Sequence, residues 1–285
     1  MLPSHKEGVV YLEHCKLLVD DDRLCLVRSE GALEKLWSIP HAATLSILLG
    51  PGTSLTQAAA KFLGREGVML AFVGGEGAPM YFASQNEYRP TEYLQSWIKS
   101  WSEHDARLGM ARKFQASRVK MIRKTSSVFQ ELLDSEQAIE RFEREMQTAQ
   151  SETKILSEEG VLSRALYRSC ASSSNIDGFT REHQGSDSAN KFLSSGNYLA
   201  YGLAASALWM LGIPHGLPVV HGRTRRGGLV FELADVVKDA CVMPTAFRSA
   251  ATSDSQAEFR AKCIAVFDKF KALETMINTV KEACE

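Results

Sequence analysis

No run of about 18 apolar residues occurs anywhere in this 285-residue chain, so nothing in it reads as a membrane-spanning helix. The opening stretch, MLPSHKEGVVYLEHC, lacks the apolar core of a secretory signal, and the cytoplasm is the expected location. Cysteine pairs are missing too. Cys15, Cys25, Cys170, Cys241, Cys263 and Cys284 are scattered without a CxxC, which argues against a zinc knuckle or a dithiol motif and makes reduced, packed thiols the expectation. Net charge is nearly absent at -1, so any affinity for nucleic acid must come from local clusters of Lys and Arg. There is no internal repeat or low-complexity tract, and the GxGxxG-like element GGEGAP at residues 74–79 opens no helix and reads as a turn. What is present, 45% hydrophobic and 24% charged residues, is a globular composition at a length that suits one large domain or two ordinary ones.

Two regimes divide the chain. Up to about Phe82 the pattern is that of strands: VVYLEHCKLLVDDDRLCLV predicts a hairpin turning at Asp20, Asp21 and Asp22, and residues 43–49 and 68–73 are short apolar runs ended by glycine. Between them, residues 53–63 predict one helix with Thr53 or Ser54 as its cap. SQNEYRPTEY is polar, holds a proline and lacks apolar periodicity, so it reads as a linker. Beyond it, apolar residues recur at three and four spacings over residues 94–114, 119–133, 135–150, 158–169, 189–211, 231–241 and 258–283. The expected fold class is α+β: a small β-rich N-terminal domain at 1–83, a linker at 84–93, and a larger α-helical bundle at 94–285. Trp37, Trp97, Trp101 and Trp209 read as core or interface anchors.

Charge is unevenly spread. Arg107, Arg112, Lys113, Arg118, Lys120, Arg123 and Lys124 follow one another with no acidic residue between them, a candidate surface for tracking phosphates. A second cluster, Arg223, Arg225 and Arg226, sits between His221 and two carboxylates, Glu232 and Asp235, in HGRTRRGGLVFELADVVKD. The three-residue spacing puts both carboxylates on one helical face, and the intervening glycines allow the chain to bring His221 back to them. This is either a divalent-metal site beside a polyanion or an exposed acidic face with an unrelated loop histidine; spacing alone does not separate the two. Glu159, placed by this reading at the start of a helix, is a fourth candidate ligand, although a Glu in a first turn is also a common partner of the helix dipole. Asn190 is a candidate for hydrogen-bonding support of the site. His14, His41, His104 and His215 lack ligand-spaced neighbours, and His183 lies in a polar loop.

The order of these pieces resembles the CRISPR-associated adaptation integrase, the Cas-one family. The likeness rests on the Glu-Gly of SEEGVLSRALYR, the Asn190 segment ANKFLSSGNYLAYGLAAS, VVHG at 219–222, and FELADVVKD running on into CVMPTAF. It extends to IPHAATLSILLGPGTSLTQAAAKFLGREGVMLAFVG, which is similar to that family's N-terminal β-domain, and YRPTEYLQSW resembles the I-F branch. The resemblance implies a homodimeric, metal-dependent integrase that inserts spacer DNA into a CRISPR repeat by 3′-hydroxyl attack on a phosphodiester, with associated endonuclease activity. It implies Glu159, His221 and Asp235 as ligands of Mg²⁺ or Mn²⁺. Glu232 stands where the family often has Asp, and is expected to act as a supporting ligand or proton acceptor. The implied protein partner is a small dimeric Cas-two protein, in the I-F branch typically fused to the Cas-three helicase-nuclease, and no membrane is involved. A branched-DNA nuclease using the same ligands, or a DNA-binding scaffold without activity, are the alternatives.

Overall fold

The computed structural model describes residues 8–30, 33–73, 79–83, 91–182, 185–222 and 227–285. The chain divides into two compact units, Met1–Arg89 and Pro90–Glu285. That division falls inside the predicted linker at 84–93, most of which lies outside the described residues, as does most of GGEGAP.

The first unit holds two four-stranded sheets. One contains β1 (Gly8–Leu12), and the predicted hairpin forms β2 (Lys16–Asp20) and β3 (Arg23–Glu30) of the other. Asp21 and Asp22 both take positive φ, 47° and 57°, as a two-residue hairpin turn requires. After β4 (Leu33–Ser38) comes β5 (Thr44–Leu49), buried at every position because it pairs in parallel with β1 on one side and β7 on the other. β6 (Ser54–Leu55) pairs with β2, so Thr53 and Ser54 do not cap the following helix. Its cap is Thr56, whose hydroxyl accepts from Ala59 N at 3.2 Å, and α1 runs Gln57–Arg65. β7 (Met69–Val73) and β8 (Pro79–Ala83) close the sheet in the order β1-β5-β7-β8, and β4-β3-β2-β6 form the second. Leu17, Leu24, Ile47, Leu49 and Leu63 share its core.

The second unit is helical. The predicted helix at 94–114 is two elements, α2 (Glu92–Ser102) and α3 (His104–Thr125), parted by Glu103 in extended backbone. The gap expected at 115–118 is absent because Leu108, Ala111, Gln115, Val119 and Ile122 continue one buried stripe. A 3-10 turn (Gln130–Ser135) leads into α4 (Glu136–Thr148). α5 (Glu152–Ser173) begins six residues before the expected 158, capped by Ser151, whose hydroxyl accepts from Lys154 N at 3.2 Å. α6 (Ser188–Met210) is buried nearly all round and runs through the core. Gly196 permits that: a Cβ there would come within 2.4 Å of Val242 Cγ1.

α7 (Gly228–Val237) passes into a single π turn (Lys238–Val242) and then α8 (Met243–Ala251), which has Pro244 at its start. The predicted helix at 258–283 is α9 (Gln256–Lys269) and α10 (Ala272–Cys284), broken where Lys271 takes φ 54°. All six cysteines are unbridged, five of them buried. No described helix is long and apolar enough to cross a membrane.

Candidate active site

The site is assembled where the loop before α7 folds back over that helix. Gly222 and Gly227, which lie between His221 and α7, take φ of 60° and 67°, a conformation that favours glycine. Gly228 then lies so close beneath the loop that a Cβ would stand 2.9 Å from Pro218 Cβ. Glu232, almost fully buried, accepts the amides of Val219 at 2.7 Å, Val220 at 2.8 Å and His221 at 2.6 Å. Its Oε1 also meets His221 Nδ1 at 3.0 Å. From the other side, Trp97 and Trp101 of α2 donate their indole N–H groups to the carbonyls of Leu217 (3.3 Å) and Pro218 (2.7 Å).

This arrangement sets the imidazole's chemistry. A carboxylate has no proton to give, so in the neutral imidazole Nδ1 donates and Nε2, on the opposite edge of the ring, carries the lone pair. A carboxylate that fixes the tautomer and rotation of a ligating histidine is a common support of metal sites. Glu232 therefore stands behind His221, with both its oxygens accepting hydrogen bonds from the loop.

The other two acidic candidates face a cavity of about 450 Å³ lined by Arg118, Glu159, Gly160, Asn197, Asp235 and Lys238, among others. Glu159 is the eighth residue of α5, beyond the first turn, so pairing with the helix dipole does not explain it. Gln115 donates to its Oε1 at 2.5 Å and Arg118 Nη1 lies 3.3 Å away. Asp235 is paired with Lys238, three residues on. Arg118 also spans Asp239, with Nε 2.9 Å from Oδ2, and donates to Ser163 Oγ at 3.1 Å.

Burial pushes the Glu159 carboxyl above its ordinary pKa; Asp235 adds to the rise, while Arg118 and His221 oppose it. Burial acts the same way on Asp235, but Lys238 and Arg118 outweigh it and hold that carboxyl below its ordinary value. Glu159, His221 and Asp235 thus sit within electrostatic reach of one another. Two carboxylates and an imidazole tied back through Nδ1 are a donor set that suits a hard divalent ion. Among the described residues, however, no three His, Cys, Asp or Glu side chains stand close enough together to share an ion. Cations of the chain lie against both Glu159 and Asp235.

The basic residues fare differently from the acidic ones. Arg118 is 3% exposed, so it belongs to the floor of the cavity and not to an open phosphate-tracking face. Arg112 donates to the Ala149 carbonyl at 2.6 Å, and Lys113 and Lys124 reach the carbonyls of Glu282 (2.6 Å) and Phe270 (2.7 Å) near helix ends. Arg123 pairs with Glu136 and Glu143 of α4, and Arg107 with Glu152 of α5. Lys120 is exposed. The run that is free of counter-charge in sequence is therefore answered by residues distant in sequence. Arg223, Arg225 and Arg226, like His183, lie outside the described residues.

Asn190 does not face the cavity. It accepts from Arg181 Nη1 (2.8 Å) and Glu182 N (2.9 Å) and donates to Thr180 O (3.0 Å) and Asp187 Oδ2 (2.8 Å), tying its own helix to the preceding loop. Asn197, two turns on, lines the cavity in its place. Gln115, Lys238 and Asp239 join the site without having been singled out from sequence. For the last two a signal existed, since they fall three and four residues after Asp235.

The family model described as CRISPR associated protein Cas1 matches residues 9–281. The chain belongs to the Cas1 family. A CRISPR-associated endonuclease Cas1 of Pseudomonas aeruginosa is 42% identical to it, over 100% of this chain and 95% of the relative. Among solved structures, that of a TtCas1-DNA complex matches with a TM-score of 0.76 at 22% identity, covering 97% of this chain and 91% of that one. A casposase bound to integration product matches with a TM-score of 0.71 at 15% identity, covering 92% and 82%. At those identities the two structures show the shared fold. The α+β architecture expected from sequence, strands first and helices after, is the one Cas1 relatives adopt.

Proposed function

We propose that this Cas1-family chain joins a DNA 3′-hydroxyl to a phosphodiester of a CRISPR repeat, using Glu159, His221 and Asp235 to hold Mg²⁺ or Mn²⁺. The observation that carries the reading is the grip of Glu232 on His221, which gives the imidazole one tautomer and one direction beside two cavity carboxylates. In the reaction, the attacking hydroxyl oxygen forms a bond to phosphorus as the bond to the leaving 3′-oxygen breaks. The attacking oxygen loses its proton to solvent and the leaving oxygen gains one, so phosphodiesters are conserved and no energy source is consumed. A bound divalent ion supplies Lewis-acid stabilisation of the charge spread over the phosphoryl oxygens.

The chain's own part is positional. Glu232, Trp97 and Trp101 fix the loop that carries His221, Arg118 holds Glu159 and Asp239 in place, and Lys238 presents an ammonium at the cavity wall. Water in place of the 3′-hydroxyl gives strand cleavage at the same centre, the activity for which the Pseudomonas relative is named. The proposed assembly is a homodimer working in the cytoplasm with a Cas-two partner, which in the I-F branch is typically fused to the Cas-three helicase-nuclease.

The test is incubation of the purified protein with Mn²⁺, a labelled duplex bearing free 3′-hydroxyls and a plasmid carrying a CRISPR repeat. Label joined to plasmid is the expected outcome, abolished in Glu159→Ala, His221→Ala and Asp235→Ala. Shortened strands without joining would favour the branched-DNA nuclease. Salt-sensitive DNA binding with neither product would favour the scaffold.

A further inference from the structure

Each cavity carboxylate expected to face a metal already faces a cation of the chain. Arg118 Nη1 stands 3.3 Å from Glu159, and Lys238 Nζ is paired with Asp235. The two cations are held very differently. Arg118 is fixed by a fork onto Asp239, a hydrogen bond to Ser163 and the face of Phe142, whose ring centre is 5.9 Å away. Lys238 ends in a compact ammonium on a flexible stem, and besides Asp235 it lies 5.2 Å from the centre of the Tyr201 ring. That ring offers the ammonium a second seat when Asp235 is taken.

Charge balance gives this difference in anchoring a consequence. Glu159, Asp235 and Asp239 face Arg118 and Lys238, leaving one negative charge in excess. A divalent ion brought into the cavity alone would leave it positive, at a site where charge is poorly solvated. A DNA phosphate restores the balance and gives the ammonium an anion to move to, because Lys238 lines the same cavity.

We propose that Lys238 is a displaceable placeholder for the metal at Asp235, and that its transfer to a DNA phosphate couples metal loading to DNA binding. The coupling is reciprocal: DNA raises metal affinity by the same factor as metal raises DNA affinity. The proposal rests on Asp235 being a metal ligand, and the test separates the two ideas.

Mn²⁺ binding is followed by the loss of the free-ion paramagnetic resonance signal, with and without a duplex ending in 3′-deoxynucleotides, which binds without being joined. Wild type is expected to gain about tenfold in Mn²⁺ affinity when the duplex is present. Lys238→Met is expected to bind Mn²⁺ about tenfold more tightly than wild type without DNA, and to lose most of the DNA-dependent gain. Lys238→Arg keeps the charge and should behave as wild type does; should Lys238→Met fail to fold, Lys238→Gln carries the same expectation. The proposal is overturned if the neutral variant binds Mn²⁺ no more tightly than wild type, or if the gain persists undiminished. If Asp235→Asn leaves Mn²⁺ affinity unchanged, the ligand assignment itself fails, and the placeholder with it.

Discussion

α7 holds two carboxylates, Glu232 and Asp235, three residues apart, and the two are used in opposite ways. Glu232 meets three backbone amides and an imidazole, partners that cannot leave without unfolding the loop. Asp235 meets a single ammonium on a flexible stem. The first is a fastening and the second an ion pair. Helical spacing placed both on one face and could not separate them, because what differs is the partner and not the position.

Removing either cavity carboxylate should break that comparison most severely. Glu159→Ala and Asp235→Asn are expected to lower strand joining by about 10³-fold, and excess Mn²⁺ should not restore it. Glu232→Gln should cost less, about 10–100-fold, since it loosens the ligand's support and not the ligand. Its joining rate should recover in part at high Mn²⁺, and thermal unfolding should show a loss of about 1–3 kcal/mol, because an amide N–H₂ would then face donors of the loop. Equal behaviour of the Asp235 and Glu232 variants under Mn²⁺ would erase the distinction.

A smaller effect should follow pH. Glu159 must be ionised to bind a metal, and its carboxyl is raised by burial and by Asp235. Mn²⁺ affinity is therefore present above that raised value and lost as pH falls through it, earlier than an ordinary carboxylate would allow. Asp235, held low by Lys238 and Arg118 against burial, stays ionised across the same range. A titration series over the acid range checks this, and Glu159→Gln should flatten whatever dependence is found. The mildest change is Trp101→Phe, which loses the 2.7 Å bond to Pro218 O and is expected to cost about 1 kcal/mol of stability with a joining rate within tenfold of wild type.

Much of the fold was legible where the signal is local. Paired aspartates mark the β2–β3 turn, and the apolar run of β5 marks a strand covered on both faces. The errors fall where partners are distant in sequence. Ser54 pairs with β2 and so cannot cap α1, and Lys271 breaks the last helical stretch in a left-handed conformation that no glycine or proline announces. The start of α5 was missed although Ser151 is a standard cap, because the turn after it is polar. At the site, the order Glu159, His221, Asp235 was readable along the chain. Gln115 and Arg118 were not, since they reach Glu159 from some forty residues upstream, and the acidic residues that answer Arg123 lie on α4.

The π turn at Lys238–Val242 gives the site a dependence on helix phase. It acts as a one-residue insertion in what would otherwise be a continuous helix from Gly228 to Ala251. Each residue of an α-helix advances the azimuth by about 100°. Deleting one residue there would let ordinary hydrogen bonding resume while turning everything before it by that angle against α8. Asp235 and Lys238 would rotate away from Glu159 without any change in their own identities. A family alignment that treated this stretch as gap-tolerant would then pair chemically intact sequences with a dismantled site.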